Sequence, residues 1–488
     1  MERPEETVQG AQMRQNLEEL RAMGVEPYPR RFERTHIAEE IHEIFDELEN
    51  TEVIIAGRLT AIRGHGKAGF ADLRDGSGGI QLYVRKDEIG EQAFAAWKLM
   101  DVGDIVGVKG EVFRTRAGEV SVKAIEITLL AKALLPLPEK FHGLKDKEQR
   151  YRQRYLDLIA NEEVREVFAG RSVILSTARE FLEERGYMEV ETPVLQPLYG
   201  GAFAQPFETH HHALDMTLYL RIADELYLKR LIVGGFERVF EIGKDFRNEG
   251  MDRTHSPEFT QLELYEAYAD YNDMMDLTEA LFEAIAIRLH GETTFEYGEL
   301  TIDLKRPWRR LRVMDAVADV VGADALVDRD ALFTAAREKG VDVEDGATFG
   351  ACVERILDQL VEPNLMDPTF LIDYPREISP LAKQTPDDPE IVERFEVFVA
   401  GFELGNSFSE LNDPDEQLRR FEAQVEKRAE GDAEAHGMDE DFVTALMHGM
   451  PPTGGLGLGI DRIVMLFTGA QGIRDVILFP PMRPDRKE

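Results

Sequence analysis

The sequence predicts an α+β protein in two parts: a small closed β-barrel near the N-terminus, then a larger domain that mixes helices with longer strands. Three observations carry this expectation. Between residues 52 and 130, five short β-rich runs follow one another, separated by turn signals such as DGSGG. A segment rich in Pro, Lys and His, LLPLPEKFHGLKDKEQR, then interrupts the texture. Beyond about residue 150, helical patterns alternate with strand-like runs that place charged and aromatic side chains at every second position.

In chain order, AQMRQNLEELRAMG (11–24) reads as an amphipathic helix stopped by Gly24, and VEPYPRRF as a Pro-punctuated linker. Residues 1–50 are therefore expected to form a helical extension. The runs EVIIAGRLT, GFADLRD, GGIQLYVR, DIVGVKGEVF and EVSVKAIEITLL are the expected strands. Five strands in about 80 residues suit a closed barrel of OB type over 51–135. Such barrels commonly bind oligonucleotides or oligosaccharides on one sheet face. Phe70 and Gln81, on consecutive runs, offer a ring and an amide where a base could stack and be read. A core Phe and a solvated Gln fit the pattern equally well. Residues 136–155 read as a linker and 156–488 as the large domain. Its stretch 291–390 has no strong motif and reads as an inserted or peripheral helical part.

Composition excludes several classes. With 43% hydrophobic and 31% charged residues among 488, the chain can bury sizeable cores and is not disordered by composition. No run approaches the roughly 18 apolar residues of a membrane span, and MERPEETVQG lacks a signal peptide's apolar region. A cytoplasmic protein with no membrane partner is the expectation. The lone Cys352 rules out an internal disulfide, a zinc ribbon and a CxxC pair. Net charge is −37, with 16 Lys and 41 Arg. An acidic, Lys-poor surface suits a salt-adapted source and, taken alone, argues against a polyanionic partner.

The richest segment is FEIGKDFRNEGMDRTHSPEFTQLELYEAY (240–268), read as strand, polar loop, strand. Period-2 alternation puts Arg247 and Glu249 on one face of the first strand, and Phe259, Gln261, Glu263 and Tyr265 on one face of the second. Such groups are rarely buried unpaired, although an exposed salt-bridged sheet surface would also show them. In GFELGNSFSELND (401–413), Asn406, Phe408 and Glu410 alternate. Glu403 has the wrong parity unless the strand bulges, with Gly405 a candidate for the bulge. Glu396 lies one short hairpin away. Carboxylates without His or Cys suit Mg²⁺, a hard cation that bridges phosphates. In PPTGGLGLGIDRIVMLFTG (451–469), a glycine-rich strand runs into a helix carrying Arg462, which could clamp phosphate oxygens or simply face solvent. No GK[ST] follows, so it is no P-loop. His210, His211 and His212 alternate across a strand and cannot supply a tetrahedral metal set.

Taken together these segments resemble the class II aminoacyl-tRNA synthetases. FLEERGYMEVETPVLQP is similar to the first class signature, with Pro193 as the marker proline of a dimer interface. FRNEG…HSPEF resembles the second, and GLGLGIDR the third. An OB barrel ahead of this domain is similar to the subgroup serving Asp, Asn and Lys. Within it, YGGAFAQPF, HHHALDMTLYLRIADELYLKR, LELYEAYADY and NSFSELND resemble the bacterial lysyl-tRNA synthetase family. The resemblance covers nearly the whole chain. It implies a catalytic domain on an antiparallel sheet flanked by helices, a homodimer, and the substrates lysine, ATP and tRNA(Lys).

The resemblance also implies roles. Arg247 should hold the α-phosphate and the substrate carboxylate, Phe259 should stack on adenine, and Glu249 should meet its exocyclic amine. His255 and Arg462 should bind the outer phosphates, and Glu396 and Glu403 should hold Mg²⁺. Glu410 and Tyr265 should meet the ε-ammonium of lysine, Glu225 and the Gly201 carbonyl its α-amine, and Glu263 either nitrogen. Asn406 and Phe408 should line the same cavity. A buried ammonium needs carboxylate partners, whereas an aspartate substrate would need Arg or Lys there. Phe70, Gln81 and Glu126 should contact the anticodon. The chain departs from the family pattern at Phe203, Gln205 and Ser256. RYRQRY (150–155) and FHGLKDKEQR are expected to join the barrel in a basic track. A regulatory relative without turnover would lack the intact Arg247, Glu249, Glu396, Glu403 and Arg462, and a relative that lysylates proteins would lack the barrel.

Overall fold

A computed structural model of the chain describes residues 7–64, 66–138, 144–344, 346–429 and 438–484. The chain divides into two compact units, Met1–Lys145 and Asp146–Glu488. Residues 139–143, within the expected linker and the FHGLKDKEQR piece, lie outside the described residues.

In the first unit, helix α1 (Val8–Ala22) begins earlier than the amphipathic pattern because the Thr7 hydroxyl accepts from Gly10 N (3.0 Å) and caps it. Met13, Leu17 and Leu20 line its buried face. Strands β1 (Glu52–Arg63), β2 (Ala68–Arg74), β3 (Gly79–Arg85), β4 (Ile105–Arg114) and β5 (Val120–Ala131) close a barrel in the order β1-β2-β3-β5-β4. Alternate residues such as Val53, Ile55, Leu82, Val84, Val106 and Val108 fill its interior, joined by Leu20, Ala38, Ile41 and Phe45 from the extension.

The second unit is built on β6 (Met188–Glu189), β7 (Arg238–Phe246), β8 (Glu258–Ala267), β9 (Arg309–Arg312), β10 (Thr369–Pro375), β11 (Ile391–Val399), β12 (Phe402–Ser409) and β13 (Thr453–Gly459). They form one sheet in the order β9-β10-β11-β12-β13-β8-β7-β6. Its pairs are antiparallel except β9/β10 and β6/β7. Helices α2 (Glu162–Glu183), α4 (Tyr271–His290) and α5 (Ile460–Thr468) cover one face, with α3 (Glu225–Val233) between α2 and α4 in the chain. Phe240, Leu262, Leu264, Phe395, Leu404, Leu456 and Leu458 from the strands share a core with Phe181, Phe282, Val464 and Phe467 from those helices. The intervening residues therefore point to the opposite face, and the charged motifs lie there.

The stretch 291–390, expected to be helical and peripheral, also supplies β9, β10 and the hairpin Thr294–Tyr297/Leu300–Asp303. RRLR is too short to show a period. In β10, Phe370 enters the core under the helices while Leu371 enters a second core with Val313, Val317 and Val353. A strand covered on both faces shows no alternation to read. No helix among the described residues is long and apolar enough to cross a membrane.

Candidate active site

The site is possible because β13 is mostly glycine on the open face. A Cβ at Gly455 would lie 2.1 Å from Glu410 Oε1 and 2.5 Å from the Tyr265 ring, and one at Gly457 would lie 2.8 Å from Gln261 Nε2. Any other residue there would displace the polar groups of the neighbouring strands. Between β11 and β12 the register shifts so that Glu403 faces Phe398 while Gly405 faces Val397. This irregularity at Leu404 and Gly405 lets Glu403 join the face of Asn406 and Phe408.

One cavity of about 440 Å³ is lined at one end by Arg247, Glu249, His255, Phe259 and Arg462, in its acidic corner by Glu396 and Glu403, and at the other end by Gly201, Glu225, Glu263, Tyr265, Asn406, Phe408 and Glu410. Phe203 and Ser256 line it too.

The strand placement expected for Arg247 and Glu249 needs correction. β7 stops at Phe246, opposite Glu258, and both residues belong to the loop beyond. Pro257 has no N–H to continue the ladder, and Arg247 N instead donates to Pro257 O (2.9 Å). Its guanidinium lies 5.1 Å over the Phe259 ring. Arg462 Nη1 donates to Glu403 O (2.8 Å) and Oε2 (3.0 Å), and its Nη2 lies 3.1 Å from His255 Nε2. The other imidazole nitrogen meets Asp252 Oδ2 at 2.8 Å. Burial works against the Asp252 carboxylate, yet bonds from Thr254 N and His255 hold it down at about 2.

In the acidic corner, Tyr374 donates to Glu396 Oε2 (2.9 Å) and Arg394 to Oε1 (2.5 Å). Burial pushes Glu396 up to about 7, with Arg394 opposing and Glu403 adding to the rise. Glu362 is pushed up to about 9 by burial and then by Glu396, Asp358, Glu403 and Glu354. Glu396 and Glu403 are paired with Arg394 and Arg462, and this all-oxygen set of donors, crowded by Glu362 and its neighbours, is of the kind a hard divalent cation takes. The tightest carboxylate set among the described residues is a different one: Asp224, Asp245 and Glu263, with ligand oxygens within 4.8 Å of one another. There Arg221 Nε lies 3.1 Å from Asp245 Oδ1, and burial pushes Glu263 and Asp245 up to about 7 and Asp224 well above the usual carboxylate range. Arg221 offsets part of the charge of that set, and burial pushes its carboxyls toward the protonated form.

At the far end, Tyr265 donates to Glu263 Oε1 (2.6 Å) and Gln261 to Oε2 (3.2 Å). Glu225 opens α3, one turn before Lys229, whose ammonium touches both Glu225 Oε1 and Glu410 Oε2, the latter at 2.5 Å. Burial pushes Glu410 up, against Lys229. Lys229, Arg394, Arg221 and Asp224 were not foreseen from the sequence, although Glu225 and Lys229 in ELYLK stand in the i,i+4 relation that marks a helical ion pair. Gln205, another departure, is exposed and its carbonyl accepts from Asn248 N (2.8 Å).

On the barrel, Phe70 is 36% exposed and stacks on Tyr83 with centroids 4.9 Å apart, and Tyr83 lies 6.0 Å from Phe113. Gln81, two residues before Tyr83 on the same outer face, donates to Glu119 (2.9 Å) and accepts from Ser121 (3.1 Å). Glu126 is exposed on β5 opposite Lys109. Residues 51–135 hold 12 basic and 11 acidic side chains, against 57 and 94 in the whole chain. The RYRQRY piece, by contrast, is spent within the second unit. Arg154 is buried on Asp157 (2.7 Å), Arg150 also reaches Asp157 (2.7 Å), and Arg152 pairs with Glu148 (2.7 Å). It is not a free basic strip, because helical geometry brings these acids onto it. Pro193 is exposed among Val194, Leu195 and Leu198, themselves 39%, 47% and 54% exposed. His210 and His211 end an exposed strand, Glu208–His211.

Residues 146–483 match the family described as tRNA synthetases class II (D, K and N), and residues 53–130 match the OB-fold nucleic acid binding domain. The chain belongs to the class II tRNA synthetases. Among its relatives, the lysine–tRNA ligase of Carboxydothermus hydrogenoformans is 55% identical over 472 residues, covering 96% of this chain and 97% of that one. That of Pelotomaculum thermopropionicum is 54% identical (96% and 94% covered), and that of Oceanobacillus iheyensis 55% (96% and 97%).

Proposed function

We infer that this protein is a lysine–tRNA ligase, which activates lysine with ATP and transfers it to the 3′ end of tRNA(Lys). The observation that carries the choice of substrate is the carboxylate-rich part of the cavity: Glu225, Glu263 and Glu410 with Tyr265, in one cavity with Arg247. This part suits a dicationic amino acid and would repel aspartate.

In the first step a carboxylate oxygen of lysine attacks the α-phosphorus, the bond to the bridging oxygen breaks, and pyrophosphate leaves. In the second, a ribose hydroxyl of the tRNA attacks the activated carbonyl and AMP leaves. Positioning and charge neutralisation suffice for such a displacement. Arg247 orients both carboxylate and α-phosphate, with Phe259 under adenine and Glu249 at its amine. His255, fixed by Asp252, and Arg462 hold the outer phosphates. Glu410 and Tyr265 receive the ε-ammonium, Glu225 and the Gly201 carbonyl the α-amine, with Glu263 between them and Asn406 and Phe408 as walls. Glu396 and Glu403 would hold Mg²⁺, which when bound supplies positive charge to the phosphate oxygens. Phe70, Gln81 and Glu126 meet the anticodon, with Tyr83 extending the stacking row. The apolar surface around Pro193 suits a homodimer, and the cytoplasm, where tRNA is charged, is the expected compartment. The test is ATP–pyrophosphate exchange with lysine, aspartate, asparagine and ornithine. Exchange is expected with lysine, and exchange driven by aspartate alone overturns the reading.

A further inference from the structure

We propose that Lys229 is a specificity-determining positioning residue: one fixed ammonium that holds an oxygen of Glu225 and an oxygen of Glu410, so that their remaining oxygens stay aimed at the two ammonium groups of lysine. This rests on the reading of Glu225 and Glu410 as the two ends of the lysine site.

The Lys229 side chain is 1% exposed, and its ammonium lies against Glu225 Oε1 and Glu410 Oε2. Glu225 Oε2 turns toward Gly201, lying 3.7 Å from where a Cβ would stand on that glycine. Glu410 Oε1 turns toward Gly455; both Glu410 oxygens are buried without a well-formed hydrogen bond among the described residues, and Oε2 alone has the ion pair with Lys229. Glu225 Oε2 and Glu410 Oε1 thus face residues that line the cavity. The groups around the ammonium are Glu225 on its own helix, Glu410 after β12, and the rings of Tyr265 on β8 and Phe442 at 5.8 and 6.0 Å, with Glu263 held on the Tyr265 hydroxyl. Asp224 precedes the helix, and Arg230 is turned away onto Asp439 and Asp441.

Two buried carboxylates without a cation would take up protons or swing together onto the first ammonium to arrive. Tying both to one ammonium favours their ionised forms against burial and sets their separation, and that separation measures the substrate. Ornithine is one methylene shorter, so it cannot satisfy both free oxygens at once.

The test is amino-acid-dependent ATP–pyrophosphate exchange by the full-length protein and its Lys229→Met variant. Loss of the ammonium is expected to raise the KM for lysine at least about 30-fold while moving that for ATP less than about threefold. The lysine-over-ornithine preference should narrow by roughly tenfold. The variant's lysine KM should also fall more steeply between pH 6.5 and 8.5 than the wild type's, since its glutamates must first ionise. In Lys229→Ala, added propylamine should restore part of the lysine KM. That variant also carries the test if Lys229→Met fails to fold. An unchanged lysine KM with unchanged ornithine discrimination overturns the proposal. So does a joint rise of lysine and ATP KM that propylamine does not touch, which is what a merely structural lysine would give. A wild-type protein without lysine-dependent exchange would instead remove the proposed function, and this inference with it.

Discussion

Each unit of this protein buries a lysine between two carboxylates, and the two clusters differ in what they leave unsatisfied. In the first unit, Lys132 meets Asp101 Oδ2 (2.6 Å) and Asp104 Oδ1 (3.0 Å). Asp104 also accepts from Ala133 N and Asp101 N, and Asp101 Oδ2 from Asn16, so both oxygens of the buried Asp104 have their donors. In the second unit, Lys229 leaves Glu410 Oε1 without a donor, and Asp224 and Asp245 nearby have orphaned oxygens as well. A closed buried network rigidifies, and an open one waits for a partner. The first ties β5 to the loop before β4, while the second borders the cavity where a dicationic substrate belongs.

That contrast can be broken by experiment. The largest effect expected is on stability: Lys132→Met strands two aspartates and should cost about 3–5 kcal/mol, read in chemical denaturation, with the lysine KM unmoved. A lysine KM that rises with the loss of stability would erase the distinction between the clusters. Arg247→Ala acts at the open site and should lower lysine-dependent pyrophosphate exchange about 10²- to 10³-fold while leaving the melting temperature nearly unchanged. Glu410→Gln should weaken lysine by roughly 2–4 kcal/mol with little effect on the KM for ATP, and unchanged lysine affinity would move the specificity site elsewhere. Phe70→Ala should spare exchange and weaken tRNA charging by about 1–3 kcal/mol, the worth of one stacked base.

The smallest effect is a pH dependence. Glu263 is pushed up to about 7, by burial first, and Glu410 is also raised. Carboxyls whose folded pKa exceeds the unfolded value favour the folded state when protonated. Their contribution is therefore lost as pH rises toward 7 and beyond. Lysine binds the ionised forms, so its KM should fall several-fold from pH 6 to 8 and its thermal stabilisation should grow over the same interval. A flat lysine KM across that range would show that these carboxyls are already ionised in the free protein.

Much of the fold was legible because its signals are local. The five barrel strands are short β-rich runs bounded by turns, and β8 announces both its faces through Leu262 and Leu264 against Glu263 and Tyr265. Legibility failed where periodicity did, in the four residues of β9 and the doubly covered β10. It failed too where a strand's end depends on its partner, as at Phe246, beyond which Arg247 and Glu249 leave the ladder. The arginines of RYRQRY read as basic surface because nothing in a linear string announces that Asp157 will lie against Arg150 and Arg154.

The order of residues alone determined which groups could share a face, since the two-residue repeat of a strand and the four-residue return of a helix are properties of the backbone. It also determined that the far pocket would be acidic, because the acids stand in the motifs themselves. Only the folded chain decided that β13 would bring glycines against Glu410 and Tyr265, and that Lys229 would stand between Glu225 and Glu410. The Tyr265–Gly455 and Lys229–Glu410 contacts join residues nearly two hundred positions apart, and their energy depends on burial and orientation, which no local pattern encodes.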